Sequence, residues 1–162
     1  MDWVETLPST TLSSFPLMLS TLGTRAGVFT ALLYAFTSGI VPGVTEELLF
    51  RGVLQTTFTR WFGLPVALPL QAILFGIAHY NYNSKAYIAL TGLIGCLMGA
   101  IFSWTGNLAV PILLHAGMNI HGALTFRSLV THFTTYDLGK VQEIYYAKRN
   151  DPLWGKKKSS LF

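Results

Sequence analysis

Glu46-Glu47-Leu48-Leu49-Phe50-Arg51, Phe75-Gly76-Ile77-Ala78-His79 and His115-Ala116-Gly117-Met118-Asn119 each place polar or ionisable side chains one helical turn apart. Each string lies within, or at the edge of, a stretch apolar enough to enter a bilayer. Ionisable side chains in such segments are costly, and their default reading is a functional site. Two carboxylates, a guanidinium, two imidazoles and an amide can activate a water molecule and stabilise an anion.

The spacing separates the acids. Glu47 and Arg51 are i and i+4, with the acid N-terminal to the base, the favourable orientation for an ion pair on one helix face. Glu46 is turned about 100° from Glu47. Arg51 can therefore neutralise Glu47 and leave Glu46 facing a cavity. A plainer account has Thr45 capping a helix whose first turn carries both acids. For His79 the plain alternative is an interfacial hydrogen bond, and for the i, i+4 pair His115 and Asn119 it is hydrogen bonding between helices. His121 and His132 are assigned no role. Cys96, the single cysteine, reads as a small buried hydrophobe and excludes an internal disulfide.

The elements that position these groups follow from composition. Apolar residues make up 51 % of the 162-residue chain and charged residues only 11 %, against about 25 % in soluble domains. No Asp, Glu, Lys or Arg occurs over 26–45, 61–84 or 86–126. A membrane span takes roughly 20 residues, so these gaps have room for one, one and two spans. The expected fold is all-α: a polytopic transmembrane bundle of about five helices in one domain. It divides into an N-terminal segment over 1–25, a membrane core over 26–126 and a polar, basic tail over 127–162. Helices are expected at about 26–41, 45–62, 65–80, 86–104 and 108–124. Pro42-Gly43 is read as a break between the first two, and Gly63-Leu64-Pro65, 81–85 and Thr105-Gly106-Asn107 as turns or loops. Gly95-x-x-x-Gly99 is a small-residue packing signature for helices in lipid.

The formal charge of +4 does not indicate nucleic acid, because aromatic residues are not interleaved with Lys or Arg. The basic tail suits the cytoplasmic bias of cationic residues after a last span and could touch anionic lipid. The acidic start, Asp2 and Glu5, is unlike a cleaved secretory signal.

In order, Glu-Glu-x-x-x-Arg, Phe-x-x-x-His and His-x-x-x-Asn, separated by apolar helices, resemble the CAAX protease and bacteriocin-processing family. That family includes CAAX prenyl protease 2 and the lysostaphin-resistance-protein-A-like proteins. The resemblance covers about residues 40–125. It implies a glutamate-type intramembrane endopeptidase in which Glu46 is the general base, assisted by His79. His115 and Asn119 would stabilise the oxyanion, with Glu47, Arg51 and Phe75 in support. The implied partners are the bilayer and a peptide or lipidated protein, cut near a prenylated C-terminus in some members and linked to bacteriocin maturation or immunity in others. No cofactor is implied. Two histidines and a glutamate could instead hold zinc, although the local His-Glu-x-x-His spacing is absent. A non-catalytic immunity or adaptor protein of the same fold is the reading from another class. A small transporter fits poorly, for want of an inverted hydropathy repeat.

Overall fold

In a computed structural model, residues 27–80 and 85–131 are described, with 139 and 143. The expected N-terminal segment, most of the 81–85 loop and most of the tail lie outside the described residues. Helix α1 runs over Val28–Glu47 and continues without interruption into a π-helical segment, Leu48–Gln55, and then α2, Thr56–Phe62. After the turn at Gly63, whose φ of +77° suits glycine, come α3 (Leu64–Ala78), α4 (Lys85–Thr105) and α5 (Ala109–Thr131).

The break expected at Pro42-Gly43 is absent, and Val28–Phe62 is one helical rod of 35 residues. Pro42 removes a single intrahelical hydrogen bond. Unwinding the chain in lipid would strand several backbone groups with no water to satisfy them, so the helix continues through the proline. Thr45 consequently caps nothing: its hydroxyl donates to the Val41 carbonyl at 2.8 Å, inside the helix. The last helix also runs further than 124, reaching Thr131.

Three helices, Val28–Phe62, α4 and most of α5, are long and apolar enough to cross a membrane, which makes the chain a multi-pass integral membrane protein. At 15 residues, α3 is about 22 Å long, short of a hydrocarbon core of roughly 30 Å.

The rods pack as two pairs, α1 against α5 and α3 against α4. The pairs meet along the π-helical segment and where α4 touches α5. Small residues make each pair close. Along α1 the buried face is Ala31, Ala35, Gly39, Gly43 and Glu47, one position every turn. A Cβ on Gly43 would lie 3.0 Å from the Ala116 backbone nitrogen, and one on Gly76 would lie 2.7 Å from the Ile88 carbonyl oxygen. Gly95 and Gly99 of the expected packing signature are both buried, with Gly95 against the Phe75 ring. Without a hydrophobic drive between helices in lipid, such close approach is what van der Waals association requires.

The π-helical turns have a local marker. Hydroxyls of Thr37, Thr45, Thr91 and Thr105 donate to carbonyls four residues back, whereas Thr56 donates to Arg51, five back, at 2.9 Å. The wider turn, bonding i to i+5, keeps Glu47, Arg51 and Gln55 closer to one line than an α-helix would.

Gly43→Ala should clash with backbone that cannot yield and cost about 1–3 kcal/mol, lowering the melting temperature in detergent. Gly122→Ala, whose Cβ meets nothing within 4 Å, should be neutral or stabilising by up to about 1 kcal/mol. Equal melting temperatures for the two variants would contradict the packing of α1 on α5.

Candidate active site

At the seam between the pairs, the two acids of the doublet diverge. The Glu47 side chain has 0 % exposure and that of Glu46 has 31 %. Glu47 Oε1 accepts from Arg51 Nη1 at 2.9 Å and from His115 Nδ1 at 2.7 Å. Arg51, likewise 0 % exposed, sends Nη2 to the Gly95 carbonyl at 2.8 Å. Its guanidinium lies over the Phe75 ring, 4.7 Å from the centroid, within cation–π range. The missing side chain of Gly95 is what admits the ring, since a Cβ there would lie 3.0 Å from Phe75 Cδ1.

Phe75 joins the components. Its ring meets Phe50 edge-on at 4.9 Å and contacts His79 at 4.7 Å and His115 at 6.0 Å. Its carbonyl receives His79 Nδ1 at 2.8 Å. Carbonyl and carboxylate oxygens only accept, so Nδ1 carries a proton in both rings.

Both Nε2 atoms lie near one oxygen of Glu46. From Glu46 Oε2, His79 Nε2 is 3.7 Å away and His115 Nε2 4.0 Å. These gaps are too long for direct hydrogen bonds. Glu46 Oε2 is itself buried with no hydrogen-bond partner among the described residues. A carboxylate oxygen and two ring nitrogens facing one point can hold and polarise a small molecule such as water.

Asn119, one turn beyond His115 on α5, is half-buried, and its Nδ2 lies 3.4 Å from the Ser38 carbonyl oxygen of α1. Four of the sequence-derived residues, Glu46, Glu47, His79 and His115, thus form one cluster. Arg51 and Phe75 brace it, and Asn119 stands at its α1–α5 edge. His121 makes only a long contact with Thr125, at 3.5 Å, and His132 lies outside the described residues. Among the described residues no group of three or more His, Cys, Asp or Glu has the spacing to hold a metal ion.

Two buried glutamines went unnoticed in the sequence. Gln55 Nε2 donates to the Gly99 carbonyl at 2.9 Å and to Ser103 at 2.8 Å. Gln71 Nε2 donates to the Gly95 carbonyl at 3.1 Å, which Arg51 also uses. The signal was present: Gln55 extends the Glu47, Arg51 spacing by one more turn, and Gln71 is an isolated polar residue in an apolar helix.

The family model for type II CAAX prenyl endopeptidase Rce1-like proteins matches residues 28–121, more than half of the chain, so the chain belongs to that family. It is 38 % identical over 90 residues to the uncharacterized protein YpbD of Bacillus subtilis, a match covering 54 % of this chain and 39 % of the relative. It is 29 % identical over 99 residues to an uncharacterized 24.3 kDa protein of Escherichia coli, covering 57 % and 44 %. The chain therefore spans less than half the length of the curated relatives it matches. No solved structure matches it.

Breaking the buried pair from one side strands a charge, at about 3–5 kcal/mol. Arg51→Met and Glu47→Gln should each lower the melting temperature sharply. Their double variant should lose much less than the sum. Additive losses in this thermal double-mutant cycle would show that the two charges do not depend on each other.

Proposed function

We propose that this member of the type II CAAX prenyl endopeptidase Rce1-like family is a glutamate-dependent intramembrane endopeptidase that hydrolyses a peptide bond near the C-terminus of a membrane-bound, prenylated substrate. The observation that carries the reading is the approach of Glu46 Oε2 to both ring nitrogens, at 3.7 and 4.0 Å. Two atoms 3.7 Å apart can share one water at about 2.8 Å from each.

The chemistry follows from the hydrogen-bond directions. Glu46 is the general base and takes a proton from the water as its oxygen attacks the scissile carbonyl. His79 Nε2, with Nδ1 committed to the Phe75 carbonyl, accepts the water's other hydrogen bond and aims a lone pair at the carbon. Charge then develops on the carbonyl oxygen. His115 Nε2 stabilises it by donation, which requires the ring to carry protons on both nitrogens. The Glu47 carboxylate at Nδ1 holds that ring in place. Asn119 supplies a second donor through Nδ2. Collapse of the tetrahedral intermediate breaks the C–N bond, and the proton held by Glu46 passes to the leaving amine. The water's second proton stays on the new carboxyl group and then moves to the amine, giving a carboxylate and an ammonium with Glu46 restored. The 31 % exposure of the Glu46 side chain is consistent with approach by a lipid-borne chain, and the family description supports a prenylated peptide as that substrate.

The test is hydrolysis of a fluorogenic prenyl peptide by protein purified into liposomes. Glu46→Gln should lower kcat by about 10²–10⁴-fold and His115→Ala by about 10²–10³-fold, with the fold intact by melting temperature. Cleavage should survive a strong chelator. Loss of activity on chelation, restored by zinc, would make Glu46, His79 and His115 metal ligands. A well-folded protein that binds the peptide but never cuts it would be an adaptor.

A further inference from the structure

Pro42 lies inside α1, where a proline has no N–H to offer the carbonyl four residues back. That carbonyl belongs to Ser38. The Ser38 hydroxyl cannot replace the missing donor, because it donates to Tyr34 at 2.6 Å. The Ser38 carbonyl instead lies 3.4 Å from Asn119 Nδ2, on a different helix. The reach is possible because the helices almost touch at this level. A Cβ on Gly39 would lie 2.9 Å from the Ala116 carbonyl oxygen, and one on Gly43 would lie 3.0 Å from the Ala116 nitrogen. The proline, the two glycines and the amide therefore occupy one turn of the α1–α5 seam, beside the turn that carries Glu46 and Glu47.

We infer that Pro42 is a positioning residue: by releasing the Ser38 carbonyl it gives the Asn119 carboxamide an anchor on α1. One Nδ2 hydrogen is tied to the backbone, the amide plane is fixed, and the second hydrogen is left for the oxyanion beside His115. This inference rests on the reading of Asn119 as an oxyanion donor. It also explains why a proline is tolerated in the middle of a helix that could otherwise hold an alanine. With an N–H at position 42, the Ser38 carbonyl would bond within α1, and the amide would be free to turn.

Pro42→Ala separates this role from a structural one, because the substitution improves the helix. The variant should melt at the same temperature as the parent or a few degrees higher, while kcat for the prenyl peptide falls about 5–20-fold and KM changes less than twofold, a part of the loss expected for removing a donor outright. In the Asn119→Ala background, Pro42→Ala should have no further effect on kcat. Side-chain amide NMR gives a reading independent of turnover: the two Asn119 Nδ2 protons should be well separated in the parent and move together in Pro42→Ala. Unchanged kcat, a drop in kcat that tracks a drop in melting temperature, or additivity with Asn119→Ala would overturn the inference. A parent protein without peptidase activity would remove the hydrolase reading, and the amide spectra would still decide whether Pro42 sets the Asn119 anchor.

Discussion

A carboxylate and a guanidinium with no exposure to solvent must satisfy each other, and everything near Glu47 and Arg51 is arranged around that demand. Charges in a medium of low polarity are tolerated only when paired and hydrogen-bonded. Arg51 therefore draws on three elements: Glu47 from its own helix, the Gly95 carbonyl from α4 and the Phe75 ring from α3. Each contact ties a different rod to the same cation. The ion pair thereby fixes where the two helix pairs meet, as well as the local helix face.

The demand propagates to His115. Glu47 Oε1 serves both Arg51 and His115 Nδ1, so the acid that neutralises the cation also sets the tautomer and plane of the ring. Phe75 does the same for His79 through its carbonyl and for Arg51 through its face. Glu46, one residue from Glu47 and on another side of the helix, escapes these ties. Two adjacent acids thus take separate parts because a helix turns by about 100° per residue.

Backbone geometry supports the arrangement in two places. The π-helical segment holds Arg51 and Gln55 toward α4, where the Gly95 and Gly99 carbonyls accept from them. The stripe Ala35, Gly39, Gly43 lets α5 approach α1 until an Asn119 amide reaches backbone. Both features trade ideal local structure for contacts between helices, which is where functional sites depart from regular geometry.

Much of this was legible in the sequence. Charge-free stretches the length of a span made a membrane bundle unavoidable, and i, i+4 spacing placed Glu47 with Arg51 and His115 with Asn119. Gly95 and Gly99 announced a close helix contact. Those properties are local: they depend on helical periodicity and on the cost of charge in lipid. Other decisions belonged to the tertiary structure. Pro42-Gly43 reads as a break in any local scheme, yet the helix runs through it, because lipid penalises unwinding and a neighbouring helix answers the freed carbonyl. The π-helical turn, the burial of Gln55 and Gln71, and the meeting of His79 and His115 at one oxygen of Glu46 join residues from separate helices. No spacing along the chain encodes them, since they depend on which faces of four rods come together and how closely small residues let them pack.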